Sequence, residues 1–181
     1  MDYEMVHFDK KIRDWEIDIP AVAYDVVRLL MHNHMFISFA ESCTGGLVAK
    51  SLTDIPGASN VFECGIVSYS NDVKNRLLGV SNSLLDESGP INAETAVQMA
   101  VGIKKVADAD IGIGITGVAG PGPDDGHDEG EIYIGLVAGG KAYALALETG
   151  TEEKRDYNRQ VAAYVALRFA RAYLENNLED I

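Results

Sequence analysis

The chain is expected to fold as α/β, in a three-layer α/β/α sandwich around a mixed, mostly parallel sheet of five strands. Three observations carry that expectation. Continuous apolar runs such as "MFISFA" (Met35–Ala40) suit strands covered on both faces. Such runs alternate with stretches of helical period. Near the C-terminus, "GEIYIGLVAGGKAYALALETG" sets Gly139-Gly140 between two strand-like segments, a two-residue hairpin signal. Alternating helices and strands give parallel neighbours, and the hairpin adds at least one antiparallel strand.

The elements follow in order. Residues 1–17 are polar and acidic with scattered apolar side chains, read as an N-terminal arm laid over the domain or over a neighbouring subunit. A single domain at 18–181 follows. Pro20 suits a first helical turn, and Val22, Val26, Leu29 and Leu30 keep helical spacing up to the first strand. "LVAKSLTDI" reads as a short helix stopped by Pro56-Gly57, and "VFECGIVSYS" (Val61–Ser70) as the second strand. Asn92 is placed to cap a helix carrying Ala96, Val97, Ala100, Ile103 and Ala107 on one side, with Glu94 near its positive end. "DIGIGITG" is the third strand and the hairpin supplies the last two. The final helix is expected to start at Thr151, with Glu152 and Glu153 in its first turn, and to bury Tyr157, Val161, Tyr164, Val165 and Phe169.

Composition narrows the function classes. With 181 residues, 24% charged and 47% hydrophobic, the chain has enough apolar side chains for one well-buried core and is not of the disordered type. Its 15 basic against 28 acidic residues give a formal net charge of −13, a surface that repels phosphate backbones and anionic lipid. Nucleic acid and membrane are therefore excluded as partners. No apolar run approaches the roughly 20 residues of a membrane span. The start "MDYEMVHFDKK" has no signal-peptide pattern, which implies a cytoplasmic protein. Cys43 and Cys64 are read as free thiols. The small size and the apolar residues of the arm point toward a homodimer.

In an open parallel sheet, ligands bind outside the carboxyl ends of the strands. Three polar clusters fall there: Glu41 to Gly46 ("ESCTGG"), Tyr69-Ser70-Asn71 with Lys74, and Thr116 to Pro121 ("TGVAGP"). Thr44-Gly45-Gly46 opens a helix, where free N–H groups and close backbone approach favour a phosphate or a developing oxyanion. Ser42 sits just ahead of those donors but needs a base, and the one histidine near the clusters, His127, is in a Gly-rich loop. Lys74, if burial holds it as the neutral amine, supplies that base, with Tyr69 relaying or orienting the proton. This is a Ser-Lys arrangement able to hydrolyse amides, and it calls for no metal or cofactor. Plainer roles fit the same residues. Serines ahead of helices are common caps, lysines on helices are commonly solvated, Cys43 is a rival nucleophile or a packed small hydrophobe, Glu41 orients a base or caps, and Gly-Pro runs serve turns.

"AESCTGG", followed in order by "LTDIPGAS", "VSYSNDVK", "LLGV" and "ITGVAGP", resembles the C-terminal domain of the CinA (competence/damage-inducible) family, the nicotinamide-nucleotide amidases, from about Pro20 to about Leu174. The resemblance implies a stand-alone domain that hydrolyses the carboxamide of nicotinamide mononucleotide to nicotinate mononucleotide and ammonia, in pyridine-nucleotide salvage. It implies Ser42 as nucleophile, Lys74 as base and Tyr69 as helper. A small-molecule nucleotide would be held by Glu41, Thr44, Gly45, Gly46, Asn71, Thr116, Gly117, Ala119 and Gly120. Some members carry a second, molybdopterin-binding-like domain ahead of this one, which is not expected within these 181 residues. Two departures stand out. Cys64 replaces a usual arginine, and Asp128-Glu129 replace a usual Lys-Pro pair in the loop "PDDGHDEGE". That loop gathers Asp124, Asp125, Asp128, Glu129 and Glu131 at the expected site edge, a field unfavourable to a phosphate. Arg159 is the candidate for the compensating positive charge.

Overall fold

The computed structural model describes residues 2–6, 8, 17–150 and 154–181. The chain forms a mixed sheet between two layers of helices, as the alternating pattern requires. Strands β1 (Glu4–Met5), β2 (Ile37–Glu41), β3 (Phe62–Val67), β4 (Ile111–Gly117), β5 (Glu131–Ala138) and β6 (Lys141–Glu148) lie in the order β1-β6-β5-β4-β2-β3. β3, β2 and β4 run parallel, whereas β4, β5 and β6 are antiparallel neighbours, the last pair turning at Gly139-Gly140. The count is six rather than five because the arm adds a short parallel strand, Glu4 opposite Tyr143 and Met5 opposite Ala144. Two residues have no period to read, so this strand exists through β6's free edge and not through its own pattern.

Side-chain parity along β4 sets the layers. Ile111, Ile113 and Ile115 are fully buried in the larger core with α1 (Ile19–Asn33) and α6 (Arg155–Leu174). Gly112 and Gly114 face the other way, towards α5 (Ala93–Val106). A Cβ on Gly114 would meet the Ala96 carbonyl oxygen at 2.2 Å, and one on Gly112 the Ala100 carbonyl oxygen at 2.2 Å. The pattern "IGIGITG" thus encodes a thick apolar layer on one face and a helix seated directly on backbone on the other. α2 (Leu47–Thr53) packs beside α1 and α6, while α3 (Asn71–Leu78) packs beside α5. α4 (Asn82–Ser88) was not anticipated, because Leu84 and Leu85 are the only apolar residues within it; Ser81 caps it.

The caps follow from the sequence. The Asp18 side chain accepts the Ala21 N–H at 2.9 Å, with Pro20 in the first turn of α1, and the Asn92 side chain accepts the Thr95 N–H at 2.7 Å at the start of α5. The expected start of the last helix at Thr151, with Glu152 and Glu153, lies outside the described residues, as do residues 7 and 9–16 of the arm. On α6, Val161, Val165 and Phe169 are fully buried, whereas Tyr157 and Tyr164 are only partly so. Both cysteines are free. Among the described residues no helix is long and apolar enough to cross a membrane.

Candidate active site

The carboxyl ends of β2, β3 and β4 meet at one pocket of about 250 Å³, lined by Ser42, Cys43, Tyr69, Lys74, Pro90, Ile91, the stretch Thr116 to Asp124, and Arg155. Ser42, Lys74, Tyr69, Thr116, Gly117, Ala119 and Gly120 are all brought to it. Glu41, Thr44, Gly45, Gly46, Asn71 and Arg159 are not among its lining residues.

Parity at the end of β2 divides two neighbouring polar residues between opposite layers. Glu41 continues the side of Ile37 and Phe39 and reaches α2. Its carboxylate, 1% exposed, accepts the N–H groups of Gly46 at 2.9 Å, Val48 at 3.2 Å and Ala49 at 2.9 Å. Gly45 and Gly46, both at positive φ (61° and 94°), let the chain turn tightly enough for this. The start of α2 is therefore already filled by an internal anion, which corrects the expectation that it receives a phosphate or an oxyanion from the ligand. The Gly45 N–H is also committed, to the Ser42 carbonyl at 3.1 Å. The N–H groups of Cys43 and Thr44 have no oxygen acceptor among the described residues and lie against the Cys43 sulfur.

Ser42 faces the opposite layer, where α3 delivers Lys74. This lysine is 2% exposed, and its Nζ lies 3.2 Å from Ser42 Oγ, 3.0 Å from the Ser68 carbonyl and 3.5 Å from the Tyr69 carbonyl. No carboxylate pairs with it among the described residues. Burial pushes its pKa below the ordinary 10.5. The sequence placed Lys74 near the helix start; the depth of its burial is what only the packing reveals. Cys43, adjacent and equally a pocket residue, has its thiol pushed up to about 12, chiefly by burial, with Glu41 adding to the rise. That direction favours the protonated thiol over the thiolate that a cysteine nucleophile requires.

The Tyr69 hydroxyl turns away from the pair. It accepts from Arg155 Nη2 at 3.1 Å, and only its backbone carbonyl approaches Lys74, so no proton relay through the phenol exists in this geometry. Arg155 also donates from Nη1 to the Gly120 carbonyl. The cation at the pocket is thus Arg155 and not Arg159. Arg159, one turn further along α6, donates to the Thr44 carbonyl at 2.8 Å and lines a separate apolar pocket with Ile19, Leu47 and Ile55. α6 begins at Arg155, four residues after the expected start at Thr151, and this places Arg155 rather than Arg159 at the level of the pocket.

Two tethers that no motif advertised shape the rest. The Thr116 hydroxyl donates to the Pro90 carbonyl at 2.7 Å, closing the wall between β4 and the α4–α5 linker. Fully buried Asn158 on α6 donates from Nδ2 to the Ala119 carbonyl at 3.1 Å and accepts from Thr149 Oγ1 at 2.6 Å. A serine hydroxyl beside a buried, carboxylate-free amine at the mouth of an α/β sheet is a hydrolase-type constellation, suited to acyl transfer.

Comparison with known proteins gives the family. Residues 20–174 match the CinA C-terminal domain, and the chain belongs to that family. A CinA-like protein of Kosmotoga olearia is 45% identical over 150 residues, covering 82% of this chain and 36% of its own length. The chain spans less than half the length of such curated relatives. Among solved structures, the competence/damage inducible protein CihA from Agrobacterium tumefaciens superposes with a TM-score of 0.83 at 32% identity, over 89% of this chain and 98% of that one. A CinA superfamily protein from Klebsiella pneumoniae gives 0.84 at 25% identity, over 88% and 99%.

Proposed function

We propose that the chain is an amidase that hydrolyses the carboxamide of a pyridine mononucleotide, nicotinamide mononucleotide, to the carboxylate and ammonia. The observation that carries this reading is the 3.2 Å contact between Ser42 Oγ and a Lys74 amine that is buried without a counter-ion. Family membership and the resemblance of the three site motifs supply the substrate.

In this reading Lys74 Nζ, uncharged, takes the proton from Ser42 as Oγ attacks the carboxamide carbon. The N–H groups of Cys43 and Thr44, without an oxygen acceptor among the described residues and next along the chain from the nucleophile, hold the negative oxygen of the tetrahedral intermediate. The protonated Lys74 returns its proton to the leaving nitrogen, ammonia departs, and Ser42 is left esterified. Water then attacks the ester with Lys74 again as base, releasing the carboxylate and restoring Ser42. Tyr69 acts by holding Arg155 at the pocket rim, and not as a relay.

Incubation with nicotinamide mononucleotide tests the reading. Ammonia and nicotinate mononucleotide should appear together, and Ser42→Ala should lower kcat by roughly a thousand-fold or more while nucleotide affinity stays within a few-fold. Calorimetric binding of the nucleotide by the unaltered chain with no ammonia released would instead identify a nucleotide-binding or regulatory module. Full activity in Ser42→Ala would remove the serine mechanism.

A further inference from the structure

Five carboxylates crowd the β4–β5 loop, yet they do not act as one field. Glu129 accepts the Gly122 N–H at 2.8 Å. Glu131 accepts the Tyr133 hydroxyl at 2.6 Å and pairs with His127 Nδ1 at 2.9 Å. Hydrogen bonds from Tyr133 and His127 outweigh the effect of burial and hold the Glu131 carboxyl below its ordinary range. Asp125, at φ 51°, lays its carboxylate against Gly89, where an added Cβ would meet Oδ2 at 2.4 Å. These contacts pin the loop to the pocket wall. The backbone of Asp124 is fixed as well, its N–H and carbonyl paired with His127 at 3.0 and 2.9 Å around the Asp125-Gly126 turn. Three acidic side chains, Asp124, Asp125 and Asp128, remain without a hydrogen-bond or ion-pair partner among the described residues, and Asp125 lies against Gly89, outside the pocket lining. Asp128 is exposed outside the pocket, while Asp124 lines it.

The carboxylate and ammonium-type side chains lining the pocket are therefore Lys74, Arg155 and Asp124. Lys74 is committed to Ser42, and Arg155 to Tyr69 and Gly120. Asp124 supplies the one negative charge among the described lining residues, beside the Arg155 cation, whose hydrogen-bond partners are neutral and hold it at the rim. We propose that Asp124 is a specificity residue that selects amides whose ring carries a positive charge, an N-substituted pyridinium, over amides with an uncharged ring. This rests on the pyridine-nucleotide reading above and adds the feature of the substrate that is recognised. It also gives the acidic loop a function compatible with an anionic tail. The ring, attached directly to the carboxamide, must sit beside the Ser42–Lys74 pair, whereas the phosphate lies at the far end of the ribose. Asp124 is exposed, so its effect is that of a solvent-screened pair, about five-fold in affinity (about 1 kcal/mol) at low salt.

The test uses the Ser42→Ala chain, so that ring reactivity does not enter. Calorimetry compares nicotinamide mononucleotide with its dihydro form, which has the same ribose and phosphate but a neutral ring. The pyridinium form should bind more tightly. Adding Asp124→Asn should weaken it about five-fold and leave the dihydro form unchanged or slightly tighter, which collapses the preference. Asp128→Asn removes the same charge from the same loop outside the pocket and should leave the preference intact. An equal shift of both ligands in Asp124→Asn, no shift at all, or an equal loss of preference in Asp128→Asn overturns the proposal. If neither nucleotide binds, the pyridine-nucleotide reading falls and this inference with it; if both bind alike, the specificity claim alone falls.

Discussion

At the scale of single residues, the proposed chemistry depends on how Lys74 is solvated. Its pKa is depressed by burial, so the fraction present as free amine, and with it kcat/KM, should rise with pH through that depressed value and level off before the ordinary 10.5. A rate that is flat across the neutral and alkaline range would contradict a lysine base. The same shift has a stability consequence of definite sign. Between the depressed folded value and 10.5 the unfolded chain binds the proton and the folded chain does not, so stability climbs with pH across that window, by at most about 1.4 kcal/mol per pH unit. Below the window the cost of the buried ammonium is fully present. Lys74→Met should therefore be more stable than the natural chain at low pH, with an advantage that shrinks as pH rises; urea titrations at several pH values measure it. The identities of Ser42 and Lys74 were legible in the sequence as a possible pair, but what makes them a pair is desolvation, a property of the packed interior.

At the scale of elements, the β2–α2 corner carries the second expectation. Glu41→Ala would leave the N–H groups of Gly46, Val48 and Ala49 without their acceptor in a buried place and should destabilise the fold by about 2–4 kcal/mol in thermal or denaturant unfolding. If Glu41 instead contacted the ligand, the substitution would raise KM and leave stability alone. The motif "ESCTGG" could not distinguish these roles, because a glutamate ahead of a helix looks the same whether it faces a ligand or caps its own chain. Strands were the easiest elements to read: β2 and β4 are apolar on both faces because both faces are covered. α4 and β1 escaped notice because neither has enough apolar period to announce itself. Arg155 escaped for a matter of height along the axis, since it and Arg159 lie one turn apart on the same face of α6 and only the place where the helix begins decides which of them reaches the pocket.

At the scale of the whole molecule, the net charge of −13 acts on every approaching ligand. Nicotinamide mononucleotide is a net anion above the second phosphate pKa, so kcat/KM should increase as salt screens the repulsion, by about two-fold between low and physiological ionic strength. The corresponding nucleoside, which lacks the phosphate and is a net cation, should show the opposite trend. Rates that respond identically for both would argue that the global field does not reach the pocket mouth.

The strand order has a consequence for how such a domain can vary. Ser42 follows the parallel strand β2 and Lys74 lies on α3, the helix that follows the parallel strand β3, so neither position can shift without repacking a layer. The wall bearing Asp124 is only the link between adjacent antiparallel strands β4 and β5, joined outside the layers. Residues there can be inserted, deleted or recharged while the reacting pair stays in place. One sheet thereby separates a fixed catalytic half from a readily exchangeable selectivity half.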